Sequence, residues 1–358
     1  MFIGPSSESS AELAIPAGDL GPLAWVLDET RKTVQAATKA LRRFAHEAEH
    51  ARGVDLASVD ASQLRTARQQ LHQVAGALDM VGQAVAAQMV RGMEAAAQRF
   101  TAHPETCTEA AAAVLEKSGF ALVEFVEGQL SERPRSALGL FPNYRQVQEL
   151  AGADRIHPAD LWAYPWRWAE PQPMPAATPL TVGASVRNRL DQGVLRLMRH
   201  ADPRAAIDLA AVSSQLANGS APGRGASFWR LCAGFFEAIA ARLVPLDLHV
   251  KRAASRVLLQ YTSLARGEAA LSERLAHDLL FFCAQARPHE AAPPPALAAV
   301  RRAWGLQGHE PVDYEQAMFG LYDPAVLAQA RRRVESVKEN WSALAGGDLA
   351  RLKPSVDQ

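Results

Sequence analysis

The feature that most constrains the fold is an apolar residue at every third or fourth position, which recurs along most of the 358-residue chain. This spacing gathers apolar side chains on one face of an α-helix, whereas alternation with a period of two would indicate a strand. The longest example has these residues on one face: Leu23, Leu27, Thr30, Val34, Ala37, Leu41 and Phe44. We therefore expect an all-α fold.

Four amphipathic segments joined by short connections make up the first third of the chain. Proline at position 22 suits a helix start, Asp60 can cap the second helix, and His103-Pro104 ends the third. The expected helices cover about residues 21–50, 60–82, 85–103 and 105–130. Four such helices bury their apolar faces most simply in an antiparallel bundle. We predict this bundle over residues 19–131.

Composition changes after this bundle and predicts the rest of the domain organisation. Residues 132–182 are rich in proline and aromatic residues, which predicts a connector with a short helix over 145–151. The rings of 160–168 are expected to pack on apolar surface as an extended strap, and a ligand or peptide groove is the alternative. A second helical bundle is predicted over 183–349, with a flexible leader over 1–18 and a polar tail over 350–358.

The second domain is divided into seven helical segments by proline, glycine and asparagine positions. The segments are expected near 184–200, 204–217, 224–243, 248–266, 272–286, 296–305 and 312–345. Residues 279–283 are so continuously apolar that their helix is predicted to be enclosed. The basic run 331–333 lies beside Glu335 and Glu339, which predicts a solvent-facing helix side.

Composition excludes several classes of function. The chain has 38 basic and 38 acidic residues, so no excess charge points to nucleic acid or to an anionic membrane. No run approaches the roughly 18 apolar residues of a membrane span, so no membrane insertion is expected. Cys107, Cys232 and Cys283 lie far apart among apolar neighbours, which predicts buried, reduced thiols in a cytoplasmic protein.

Motifs for catalysis are missing from the sequence. It contains no nucleotide-binding loop, no Ser/His/Asp arrangement and no paired-carboxylate pattern, so we expect neither an enzyme nor a cofactor. His46 and His50 are four residues apart and could bind a metal. They lack an obvious third ligand, and positive charge near a helix C-terminus explains them as well, so no metal site is predicted.

Residues 71–82 combine residue type and spacing in a way that suggests chemistry. Leu71, Val74 and Leu78 belong to the apolar face of the second helix, whereas His72 falls on the opposite, solvent-facing side. Gly76 follows one turn later, although glycine costs about 0.5–1 kcal/mol relative to alanine inside a helix. An exposed imidazole beside a glycine that permits close approach is what a phosphoryl-accepting histidine needs. His72 is therefore the candidate phosphoacceptor.

This segment resembles the signature of histidine phosphotransfer (Hpt) domains. In that signature the histidine is followed by an aliphatic residue at +2, lysine at +3, glycine at +4, an aliphatic residue at +9 and glycine at +10. The corresponding residues are Val74, Ala75, Gly76, Val81 and Gly82, so the lysine is replaced by alanine. The resemblance implies an Hpt-like bundle in which the second and third helices form a hairpin that displays His72.

A narrower resemblance covers most of the chain. Residues 71–81, together with the opening Leu23-Ala24-Trp25-Val26, look like the N-terminal region of PilL/ChpA-type chemosensory histidine kinases of type IV pili. They are similar as well to the related FimL-type scaffold proteins, whose second domain residues 183–349 resemble. The resemblance implies a cytoplasmic protein, recruited to the cell pole, in a two-component system that controls twitching motility.

The resemblance also implies partners and a docking face. The partners are CheY-like response regulators or polar hub proteins, with a cognate histidine kinase as a further candidate. The candidate receiver-docking face consists of Arg65, Arg68, Gln69, Ala75, Gly76, Asp79 and Gln83. Arginines could partly replace the missing lysine, and Asp79 adds negative charge, but exposed charges at this range are worth well under about 1 kcal/mol each.

Two functions therefore remain open on the sequence. One is a scaffold that docks partners with weak or no phosphotransfer. The other is an active histidine phosphotransfer protein or domain that relays phosphate through His72, including a fragment of a larger hybrid histidine kinase.

Overall fold

A computed structural model confirms the all-α fold. It describes residues 21–50, 60–131, 134–174, 177–268, 270–287, 293–322 and 324–345, and no strand occurs within these ranges. The helices are α1 (Gly21–His50), α2 (Ser62–Met80), α3 (Ala84–Ala102), α4 (Glu109–Gln129), α5 (Phe141–Ala151), α6 (Ala184–His200), α7 (Pro203–Gly219), α8 (Arg224–Ala240), α9 (Leu248–Ala265), α10 (Glu273–Gln285), α11 (Pro295–Ala303) and α12 (Pro324–Ala345). The predicted leader and tail lie outside the described residues.

Most helix boundaries agree with the sequence prediction, and the largest differences are at the starts of α4, α5 and α12. α4 begins at Glu109 rather than 105, because Pro104–Thr106 form a single 3-10 turn and the Thr108 side chain then accepts a hydrogen bond from the Ala111 N–H at 3.2 Å. The last predicted segment, 312–345, becomes helical only at Pro324.

The described helices are divided between two compact units. The first contains the described residues up to Ile156 and those from Tyr314 onward, and the second is His157–Asp313. This division differs from the predicted boundaries at 131, 182 and 349, because the predicted connector is shared between the units and the C-terminal helix belongs to the first.

In the first unit, α1 packs against α2 and α4, and α2 packs against α3 as the expected hairpin. α5 lies against both α3 and α4, and it is longer than the short helix predicted over 145–151. Gly92 on α3 makes this contact possible, since a Cβ there would lie 3.1 Å from Val147 and 2.6 Å from Gln148. The prolines near α5 led to the prediction of a connector, whereas the structure shows an additional helix that packs in the bundle.

The segment that precedes α12 is also part of the first unit. Phe319 is buried and meets the Phe125 ring edge-on at 5.5 Å, with the Arg135 guanidinium 4.4 Å from its ring centre. Gly320 has a φ of +66°, and a Cβ there would lie 2.8 Å from Ala121 on α4. These contacts explain why this segment is not helical and does not belong with the second unit.

In the second unit, α8 packs against α7, α10 and α11. Residues 279–283 are fully buried, as predicted. The strap also packs as predicted: Trp162 stacks on Tyr164 at 4.6 Å and meets Phe281 at 5.7 Å, while Trp304 Nε1 donates to the Arg167 carbonyl at 2.8 Å.

The three cysteines are buried free thiols, as predicted. Burial raises the pKa of Cys107 to about 12 and that of Cys232 well above its usual value. Separately, no described helix has both the length and the apolar character needed to cross a bilayer.

Candidate functional site

The helix that carries His72 is fixed at both ends by local hydrogen bonds. At its start, Asp60 accepts from the Ser62 backbone N–H at 2.8 Å and from its hydroxyl at 2.6 Å, and these bonds lower the pKa of Asp60. At its end, Gly82 has a φ of +75°, and the Gln83 N–H donates to the Leu78 carbonyl at 2.8 Å. This is a Schellman ending, so the glycine at +10 serves to stop α2 and turn the chain into α3.

His72 is exposed on α2, as predicted, with 74% of its side chain accessible. Its Nδ1 lies 3.1 Å from Oε1 of Glu94 on α3. Because a carboxylate only accepts, this contact assigns the proton to Nδ1 and leaves the Nε2 lone pair available. The imidazole is thus oriented by a neighbouring helix.

Three polar contacts join α2 and α3 along this surface. They pair Arg68 with Gln98, His72 with Glu94 and Asp79 with Arg91. We call these six residues the polar row. Sequence reasoning missed its α3 members, although positions 91, 94 and 98 repeat at helical spacing on the side away from the apolar face of α3.

The polar row changes the predicted balance of charge near His72. Asp79 was expected to oppose a phosphoryl group, but Arg91 pairs with it. Arg68, a predicted substitute for the missing lysine, instead donates to Gln98. The row therefore contains two arginines and two acidic side chains, and Arg68, one turn before His72, contacts an uncharged amide.

The predicted docking residues differ in their exposure to solvent. Five of them are exposed, namely Arg65, Arg68, Gln69, Gly76 and Asp79, and Gln83 is half-buried. Ala75 is buried, so its assignment to this face was wrong. Ala75 lies four residues after Leu71 and three before Leu78, which turns it toward the core. The +3 position of this chain is thus a packing position.

Gly76 has no structural reason to be glycine within the described fold. It lies inside α2, and a Cβ added there would meet nothing within 4 Å. The space one turn from the imidazole is therefore open.

The histidine pair near the end of α1 has ordinary partners. His46 Nδ1 lies 3.0 Å from Glu109 Oε1, and His50 Nδ1 lies 2.8 Å from the His46 carbonyl. Among the residues described, no three histidine, cysteine or acidic side chains converge on a common point.

One part of the chain matches a known protein-family model. Residues 175–317 match the family model described as the FimL scaffold protein second domain. The match supports a FimL-type scaffold. It includes α6 to α11 but not α2, so the Hpt resemblance rests on the residues around His72. No curated protein and no solved structure matches the chain.

Proposed function

We propose that this chain is a non-enzymatic, Hpt-like signalling scaffold of the chemosensory system that controls type IV pili. It acts in the cytoplasm and is recruited to the cell pole. Its α2 surface docks CheY-like response regulators or polar hub proteins, with weak or no phosphotransfer. The family match over 175–317 supports the scaffold role, and the open surface at Gly76 beside His72 carries the docking assignment.

Gly76 supports docking because the fold itself does not use it. A glycine inside a helix lowers stability, and no described atom approaches its missing side chain. A partner that packs closely against α2 would explain why the position lacks a side chain. The exposed arginines and the polar row then supply hydrogen-bonding groups around the point of closest approach.

Weak transfer follows from the charges around His72. A phosphoryl group on the imidazole carries negative charge, and the nearest described partner of the ring is the Glu94 carboxylate. The position that holds a lysine in the Hpt signature is a buried alanine. The phosphorylated state would therefore lack the lysine that favours it in the Hpt signature.

The second candidate function is active phosphotransfer, which one observation favours. The Glu94 contact orients the ring and leaves Nε2 as the nucleophile. In that reaction Nε2 attacks the phosphorus of a receiver acyl phosphate, the bond from phosphorus to the aspartyl oxygen breaks, and the aspartate is released. The proton on Nδ1 stays in contact with Glu94, which would stabilise the positive ring.

The two functions separate in one experiment with purified wild-type and His72→Gln protein. Each is mixed with a phosphorylated CheY-like receiver of the pilus system, and both label transfer and receiver binding are measured. Binding by both proteins without label supports the scaffold. Label on wild type that His72→Gln abolishes, and that Glu94→Ala reduces, supports the carrier. Absence of binding to every receiver and hub protein of that system contradicts both.

A further inference from the structure

Most of the apolar side of the last described helix is not covered by any described residue. Positions of α12 spaced alternately by three and four residues form this side, which we call the α12 seam: Leu327, Ala330, Val334, Val337 and Trp341. The exposed fractions are 55% for Val334, 64% for Val337 and 73% for Trp341. This is the a/d pattern of a coiled-coil helix without its partner helix.

The start of α12 lies beside other helices of the first unit. Leu327 is half-buried, and with Arg331 it lines a cavity of about 420 Å³ beside α1 and α4. Beyond this point the α12 seam is exposed along its described length. The exposed part of the α12 seam therefore begins beside this cavity.

Charge is distributed asymmetrically around the α12 seam. Five e and g positions flank the α12 seam: three of them are basic and exposed, namely Arg331, Arg333 and Lys338, and the other two are Val326 and Asn340. Glu335 and Glu339 lie on the opposite side of the helix, together with Arg332. Every charged residue that a partner helix would meet at the edges of the seam is therefore basic.

This charge pattern disfavours a second copy of α12 as the partner. Two copies would place arginine and lysine side chains against one another at the e and g positions, which is repulsive. In a parallel pair Trp341 would also face itself at an a position, where two indoles overfill the core. Acidic residues at the flanks of a different helix would convert the same contacts into ion pairs.

We propose that α12 is a docking helix for a partner protein that supplies an amphipathic helix with an apolar heptad seam and Asp or Glu at its e and g positions. This site is separate from the His72 surface and does not depend on phosphotransfer. The family match ends at residue 317, so it does not include α12.

The test uses two synthetic peptides of about three heptads, both with leucine at a and d. One has glutamate at every e and g position, and the other has lysine. Binding of each labelled peptide to the full chain is measured by fluorescence anisotropy. Because three like-charge contacts become attractive, the acidic peptide should bind about tenfold or more tightly than the basic one.

Variants of the full chain identify the surface that binds. Val337→Asp and Trp341→Ala should each weaken binding of the acidic peptide. The triple variant Arg331→Glu/Arg333→Glu/Lys338→Glu should reverse the preference toward the basic peptide. Arg332→Glu makes one such charge reversal on the opposite side of α12 and should leave binding nearly unchanged. Far-UV circular dichroism confirms that each variant is folded.

Three results would overturn the proposal. If the two peptides bind equally, or if neither binds detectably, the basic residues beside the seam do not select an acidic partner helix. If Arg332→Glu and the triple variant lose binding equally, the partner helix does not specifically contact Arg331, Arg333 and Lys338. Self-association of the wild-type chain that Val337→Asp abolishes would show that a second copy occupies the α12 seam.

Discussion

Replacement of Arg301 should strongly destabilise the second unit. Arg301 is buried on α11, and its two terminal guanidinium nitrogens lie within hydrogen-bond distance of five backbone carbonyls, three of which share the two N–H groups of Nη1. The acceptors and distances are Cys283 at 3.0 Å, Ala284 at 3.1 Å, Ala286 at 3.2 Å, Leu306 at 2.9 Å and His309 at 3.3 Å. Three of these carbonyls belong to the end of α10, where helical partners run out. Arg301 thus caps α10 from another helix.

The expected cost of Arg301→Met follows from the carbonyls left behind. Methionine fills similar volume but donates nothing, and each unsatisfied buried acceptor costs about 1–3 kcal/mol. Water can replace Arg301 at the carbonyls of Leu306 and His309, whereas the three carbonyls at the end of α10 remain unpaired. The free energy of unfolding then falls by about 3–5 kcal/mol. That corresponds to a decrease in Tm of roughly 6–20 °C for a unit of this size.

Thermal unfolding followed by tryptophan fluorescence provides the measurement, because five of the seven tryptophans belong to the second unit. Arg302→Met is the matched control, since Arg302 is the exposed neighbour on the same helix and should change stability by less than about 0.5 kcal/mol. If Arg301→Met and Arg302→Met unfold at the same temperature, the carbonyl cap does not stabilise the unit and the reasoning is wrong.

Further predictions address other named contacts. Gly76→Ala should raise the free energy of unfolding by about 0.5–1 kcal/mol in urea denaturation, and Gly128→Ala, also at an open helical position, should raise it too. Glu237→Ala should destabilise by about 1–3 kcal/mol, with partial rescue in Glu237→Gln, because its carboxylate accepts from the Leu297 N–H at the start of α11. Burial lowers the pKa of His309 below its usual 6.5, so stability should fall as pH drops below about 6.5, and less so in His309→Gln.

Much of the fold was predictable from the sequence because it is encoded by local patterns. The apolar period along α1, the Asp202-Pro203 start of α7 and the glycine that ends α2 each depend on neighbours within a turn or two. α5 was predicted too short because its core contacts come from α3 and α4. The segment before α12 was predicted as helix because its contacts with Phe125 and Ala121 are distant in sequence.

The candidate site was predictable only in part. The exposure of His72 and the glycine one turn away follow from the periodicity of a single helix. The pairing of His72 with Glu94 depends on the register between α2 and α3, which the sequence does not specify. Ala75 was misplaced because the family signature suggested a role that the helical geometry of this chain contradicts.

The most direct test of the central claim is the affinity of a CheY-like receiver for Gly76→Trp, measured by isothermal titration calorimetry beside wild type and Gly128→Trp. A Cβ at either helical position would meet nothing within 4 Å, and far-UV circular dichroism checks that both variants fold. Docking on α2 predicts that Gly76→Trp weakens binding by at least about tenfold, or 1.4 kcal/mol, while Gly128→Trp binds like wild type. Equal affinity for all three proteins would contradict docking at the His72 surface.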